Sequence, residues 1–156
     1  MKKSTATVLS YCLLFSAIFS LDRVTKYFMR LAETNYRVND FLTFTLQYNR
    51  GISWGMFDSE NQTLFMVITG IISIFVVAFF LYTLVRFMNH NLIFGETMVC
   101  AGALSNLIDR MAYGGVADFI SLSGSFWSWP VFNIADMFIV AGLAIVALTG
   151  YLSHEN

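Results

Sequence analysis

Residues 64–85, LFMVITGIISIFVVAFFLYTLV, carry no charge, and at 1.5 Å per residue such a helix reaches roughly 33 Å, enough to cross the hydrocarbon core of a bilayer. Three further stretches, 5–29, 92–110 and 131–152, are apolar enough to cross but hold polar residues; four spans are predicted, with the second running over 64–86. The short turn RFMNHN (86–91) joins spans two and three, so the two long connections, 31–62 and 111–130, share the opposite side. In the first, FLTFTLQY alternates, with Leu42, Phe44, Leu46 and Tyr48 on one face and Thr43, Thr45 and Gln47 on the other. That period of two predicts a half-buried strand and a small sheet on the membrane surface. The second holds Gly114, Gly115 and Gly124, then FWSWP, whose tryptophans suit the interfacial belt and whose Pro130 suits a first helical turn. The fold class expected is an integral membrane, mainly α protein of four transmembrane helices, with a small sheet and a second loop region.

Composition agrees with lipid as the solvent. Of 156 residues 57% are apolar and only 12% charged, and the mean hydropathy is +0.65, whereas soluble chains average about 25% charged. No repeat, low-complexity tract or linker divides the chain, so 1–156 is expected to form one domain. The start MKK followed by an apolar run looks like a secretory leader, but no pair of small residues marks a cut, and the segment is expected to be retained as a span. Cys12 and Cys100 fall in different spans with no C-x-x-C or His cluster, which predicts buried thiols rather than a disulfide or a zinc site. Lys2, Lys3 and Arg86 lie on the side of the termini, while Arg23, Lys26, Arg30, Arg37, Arg50 and Arg110 lie on the other. The raw positive-inside count opposes cytoplasmic termini. Arg23, Lys26 and Arg110 have acids beside them, however, and read as paired site residues rather than topological signals; cytoplasmic termini are preferred.

Polar side chains at membrane depth are costly unless satisfied, and each is a functional candidate. Asp22 and Lys26 are four apart in LDRVTKY, as are Gly102, Asn106 and Arg110 in GALSNLIDR; Asn133 and Asp136 are three apart in FNIAD. All lie toward the side of the long connections. Structural roles account for several: an interfacial ion pair for Asp22 with Lys26, a helix cap as an even alternative for Asn133, neutralisation of Asp109 by Arg110 or solvent, and solvated or headgroup-facing positions for Arg37 and Arg50. Asp118 and Asp136 fit that reading poorly, having no Lys or Arg near them in sequence. The only histidines, His90 and His154, lie on the wrong side for Ser/His catalysis. Two carboxylates sharing a proton can activate water, as in aspartic proteases. Proton-coupled transport through intramembrane aspartates is the alternative. NLID and NIAD share the spacing N-x-x-D, so Asp109 with Asp136 is as tempting a pair; Arg110 weighs weakly against it, since an acid beside an arginine stays ionised.

The segments LDRVTKY, YNRGISWGMF, GALSNLIDR, GGVADFI and FNIADMFI, in that order over about residues 20–140, resemble the lipoprotein signal peptidases, the bacterial signal peptidase II family. The resemblance implies an aspartyl endopeptidase of the bacterial inner membrane that cuts the signal peptide from a diacylglyceryl-modified prolipoprotein, before the lipidated cysteine. It implies a catalytic pair Asp118 and Asp136, supported by Asp22, Lys26, Asn49, Gly51, Asn106, Arg110, Asn133 and Ala135. It also implies cytoplasmic termini, a first connection forming a β-cradle on the outer face, and ligands of the globomycin type. Variation at Ser53 and Gly55 leaves that pattern intact. No metal or other cofactor and no nucleic acid is expected; membrane lipid is the surrounding partner, and a monomer is favoured. Small residues Gly102, Ala103, Gly114, Gly115 and Ala135 are expected to admit an extended peptide, and strand 42–48 to pair with its backbone.

Overall fold

The computed structural model describes residues 4–32, 35–52 and 60–154; Ser53 and Gly55, like Lys2 and Lys3, lie outside them. Four long helices dominate: α1 (Thr5–Ala32), α2 (Gln62–Met88), α3 (Phe94–Tyr113) and α4 (Ile134–His154). Three of them, α1, α2 and residues Ile134–Tyr151 of α4, are long and apolar enough to cross a membrane. The remaining helix, α3, carries Glu96, Asp109 and Arg110. Its depth in the protein explains how it tolerates them, because α3 packs against each of the other three helices.

Local signals set the helix ends. Asn61 caps α2, its side chain accepting from the N–H groups of Thr63 and Leu64 at 2.9 and 3.2 Å. After α2 the chain turns at His90, whose φ of 62° is rare for a residue with a Cβ. Gly114 ends α3 with φ 70° and donates to the Arg110 carbonyl, the left-handed cap that glycine adopts without strain. At α4 the expected start at Pro130 is displaced: the helix begins at Ile134. Phe132 is held instead as a bridge to Ile120, exchanging backbone hydrogen bonds at 2.8 and 3.1 Å, so the helix cannot begin until that pairing ends.

The sheet is antiparallel, with strand order β1 (Tyr36–Arg37), β2 (Leu42–Asn49), β3 (Val116–Gly124), β4 (Trp127–Ser128). It unites both long connections, since β2 comes from the first and β3 from the second. The region expected as a second loop therefore contains the strand that carries Asp118. The alternation predicted for β2 is interrupted, because the register with β3 shifts between Phe44 and Gln47. Residues 42–46 are all half-buried and Gln47 and Tyr48 are exposed, so no single apolar face forms. On one side β2 is taken up by β3, and on the other β1 pairs with Thr43 and Phe44. Beyond β3 the turn to β4 presents Phe126, fully exposed, between β3 and Trp127.

Helices α3 and α4 approach closely at two points. A Cβ on Gly102 would lie 2.6 Å from the Ala135 carbonyl oxygen, and one on Gly95 would lie 2.8 Å from that of Gly142. The spacing is seven residues on each helix, so one face of each is kept small over two turns. Gly102 and Ala135, expected to make room for a peptide, here let two backbones touch, as do Gly95 and Gly142, which carried no such expectation. Gly115 likewise fits against Asn49 and Tyr48 of β2. Cys100 is buried as expected, whereas Cys12 is exposed on the outward side of α1.

A prediction follows from that contact. Gly102→Ala should push α3 from α4 at the level of the polar residues, lowering the detergent melting temperature and the activity together. Gly70→Ala, on α2 with nothing within 4 Å of its new Cβ, should be neutral or stabilise by up to about 1 kcal/mol. Equal behaviour of the two variants would contradict the packing role.

Candidate active site

The buried positions of α1 are Tyr11, Ile18, Asp22 and Lys26, a single stripe that changes from apolar to ionic toward its C-terminal end. Asp22 and Lys26 are both fully buried and 2.8 Å apart, the expected pair. They do more than satisfy one another. Asp22 Oδ2 also accepts from Ser105 Oγ on α3 at 2.6 Å, and Oδ1 accepts from the Ala135 N–H on α4 at 2.8 Å. One carboxylate thereby ties three helices together. Lys26 donates to Asp22, to Asp109 Oδ2 at 2.9 Å and to Asn106 Oδ1 at 2.8 Å, so each of its three N–H groups has an acceptor.

Asp109 is the centre of the ionic cluster. It is fully buried, and the expectation that Arg110 or solvent neutralises it is overturned: its partners are Arg23 at 2.5 Å, Arg30 at 2.7 Å and Lys26. Helical geometry explains why. Residues 109 and 110 point about 100° apart around α3, and Arg110 turns instead to the backbone carbonyls of Arg50 and Gly51. Asp109 Oδ2 also accepts from the Ala117 N–H at 3.2 Å. That bond fixes the start of β3 one residue before Asp118. With three cations around it, Asp109 is not available as half of a proton-sharing pair.

Asp118 and Asp136 come from different elements, β3 and the first turn of α4, and Asn133 joins them. Asn133 and Asp136 form a reciprocal cap: Asn133 Oδ1 accepts from the Asp136 N–H at 2.9 Å, and Asp136 Oδ2 accepts from the Asn133 N–H at 3.1 Å. With its remaining atom, Nδ2, Asn133 donates to Asp118 Oδ1 at 2.6 Å. The cap and the site residue are one. Asn106 Nδ2 donates to Asp136 Oδ1 at 2.8 Å, and Asn49 Nδ2 donates to Asp118 Oδ2 at 3.1 Å. Gly51 holds the loop after Asn49 through its carbonyl bond to Arg110. Asp22, Lys26, Asn49, Asn106, Asn133 and Ala135 thus lie in one hydrogen-bonded network with the two acids, and Arg110 and Gly51 adjoin it through the backbone after Asn49.

Neither Asp118 nor Asp136 forms an ion pair among the described residues, in contrast to Asp22 and Asp109. Burial disfavours charge on Asp118, and the neighbouring Asp136 adds repulsion; together they push its carboxyl up to about 7. Among the described residues no group of three or more His, Cys, Asp or Glu is placed to hold a metal ion.

The resemblance to known proteins is extensive. A family model described as signal peptidase (SPase) II matches residues 14–152. The chain belongs to the signal peptidase II family. It is 38% identical over 144 residues to the lipoprotein signal peptidase of Mesorhizobium japonicum, covering 87% of this chain and 82% of that protein. It is 36% identical over 150 residues to that of Staphylococcus aureus, covering 91% and 88%. A solved bacterial membrane enzyme superposes with a TM-score of 0.75 at 27% identity, covering 94% of this chain and 92% of the other. Membership makes this chain a peptidase, and with its apolar helices a bacterial multi-pass membrane protein.

Sequence reasoning missed Ser105 and Arg30 as site partners, and the position of Asp109; Arg23 is paired as expected, though with Asp109 of α3 rather than with an acid beside it in sequence. Spacing contained a signal for them: Asp22, Lys26 and Arg30 repeat every four residues on α1, as Ser105 and Asp109 do on α3. Each stripe is complementary to the other.

Proposed function

We propose that this signal peptidase II is an aspartic endopeptidase that removes the signal peptide of diacylglyceryl-modified prolipoproteins by cutting before the lipidated cysteine, with Asp118 and Asp136 as the catalytic pair. The observation that carries this reading is the bridging of two carboxylates, neither held by a cation among the described residues, through the single residue Asn133. A pair so arranged keeps one proton between them and can take a proton from water while giving one to a carbonyl oxygen. The names of the curated relatives support the substrate class. The site lies at the end of the helices where the sheet packs, which suits a lipidated peptide whose acyl chains remain in the bilayer while its scissile bond reaches the polar network. An apolar cleft of about 690 Å³, lined by Phe15, Phe79, Leu104 and Leu107 among others, offers such chains a place among the helices. With cytoplasmic termini the site faces outward, and the enzyme acts as a monomer in the membrane.

Three measurements test the reading. The rate should be bell-shaped in pH, because the doubly ionised pair cannot donate and the doubly protonated pair cannot accept. Activity should fall as pH rises through about 7, where Asp118 gives up its proton. A flat profile from strongly acid to alkaline pH, with the fold intact, would contradict a shared proton. Globomycin-type cyclic peptides, placing an uncleavable hydroxyl between the carboxylates, should compete with substrate, while chelators and serine-directed reagents should leave turnover unchanged. Inactivation by a chelator, reversed by metal, would overturn the aspartic mechanism. Coupled proton flux in proteoliposomes without a cleaved product would point to transport instead.

A further inference from the structure

We infer that the resting proton of the pair sits on Asp118, on the oxygen facing Asn49, and that Asp136 is the carboxylate that receives the proton of the attacking water; this rests on the reading of the pair given above. Three asparagines touch the two acids, and they differ in whether their amides are free to turn. Lys26 has only donors, so the Asn106 atom 2.8 Å from its Nζ must be the carbonyl oxygen. Asn106 Nδ2 is thereby committed to donating to Asp136 Oδ1. Asn133 is committed in the same way, because its Oδ1 must accept the Asp136 backbone N–H. Its own backbone N–H reaches Asp136 Oδ2. Both oxygens of Asp136 therefore face donors that cannot be reversed, and a proton on either would find no acceptor among these partners. Asp136 also lies in the first turn of α4, where the helix dipole favours negative charge.

Asp118 differs at one oxygen. Oδ1 is held by Asn133 Nδ2, but Oδ2 faces Asn49, whose amide is held by neither a cation nor a backbone N–H among the described residues. Its other described contact is from Nδ2 to the Ile52 carbonyl at 3.3 Å, while its buried Oδ1 has no partner. Half a turn of the Asn49 amide gives up that long bond and sets the orphaned oxygen opposite Asp118 Oδ2, where it accepts an O–H. That rotation pairs Oδ1 with the O–H of the acid and moves Nδ2 to the place that Oδ1 leaves. The charged groups around the pair are consistent with this placement. Lys26 and Asp22 face it from α1; on α3, Asp109 is occupied by Lys26, Arg23 and Arg30, and Arg110 by backbone carbonyls.

The proton bookkeeping closes. Asp136 takes a proton from water as the hydroxide oxygen bonds to the scissile carbonyl carbon, and Asp118 gives its proton to the carbonyl oxygen, forming a neutral gem-diol. Asp136 then protonates the leaving nitrogen as the C–N bond breaks, and a gem-diol hydroxyl returns its proton to Asp118. Asn49 and Asn106 are positioning residues, one for the proton and one for the carboxylate.

Infrared difference spectroscopy on protein carrying carbonyl-labelled aspartate tests the assignment without reference to activity. Asp118→Asn and Asp136→Asn each remove the repelling partner, so the two variants are comparable. The remaining carboxyl should keep its protonated C=O band to higher pH in Asp136→Asn than in Asp118→Asn. The reverse order, or an equal one, overturns the inference. A second variant, Asn106→Leu, removes a donor from Asp136 while Lys26 keeps Asp22 and Asp109. The acid limb of its pH–rate profile should move up by about one pH unit with the alkaline limb unchanged, a shift that a merely structural role would not produce. Movement of the alkaline limb alone would exchange the two roles. Normal cleavage by either aspartate variant would instead remove the catalytic pair itself, a failure distinct from a wrong proton position.

Discussion

Asp118→Asn and Asp136→Asn are each expected to lower turnover by at least about 10⁴-fold, and the double variant to be no worse than either single, because the two carboxylates act as one unit. Asparagine keeps the size of the side chain and can still meet Asn133, Asn49 or Asn106, but it cannot take a proton from water. Folding should be little affected, since neither acid has a cationic partner to strand among the described residues. Cleavage and detergent melting measured on the same preparations separate the two effects. Substantial turnover by either single variant contradicts the pair.

The largest loss of stability is expected from Asp109→Asn. Removing one partner of a buried ion pair costs about 3–5 kcal/mol, and Asp109 serves three cations at once, one of them the fully buried Lys26. On the scaling for domains of this size, that is a fall of roughly 10 °C in melting temperature. Asp22→Asn should be milder, because Lys26 retains Asp109 and Asn106. From sequence alone Asp22→Asn would seem to isolate Lys26; the second carboxylate removes that consequence. Activity should fall in Asp109→Asn as well, through the lost charge on the bond that fixes Ala117 ahead of Asp118. A variant at Asp109 as stable as the wild type would deny the cluster its structural role.

The helices were legible because their signal is local. An uncharged run such as 64–85 is decided by the solvent it can enter, with no need of a partner. The strand carrying Asp118 was not legible in the same way. GGVADFISL is apolar on both sides of a single acid and has no clean alternation, and its pairing with β2 depends on residues some seventy positions away. The register shift in β2 was hidden for the same reason, being a property of two strands fitted together. At the site, Asp118 and Asp136 stood out by lacking a cation in sequence, and neither has an ion-pair partner among the described residues. Asp109 was misread because adjacency in sequence suggested Arg110, whereas on a helix the neighbours that matter are three and four residues away or on the facing helix. Gly102 and Ala135 show the converse limit: their small size marked them as sites of close approach, but not whether a peptide or another helix would make that approach.

The most direct measurement of the central claim is cleavage of a diacylglyceryl-modified prolipoprotein by the purified protein in detergent or nanodiscs, read by intact mass. The account predicts one new product whose N-terminus is the lipidated cysteine, formed by the wild type and absent with Asp118→Asn and with Asp136→Asn. A wild-type protein that leaves this substrate intact, or an aspartate variant that cuts it at the normal rate, would contradict it.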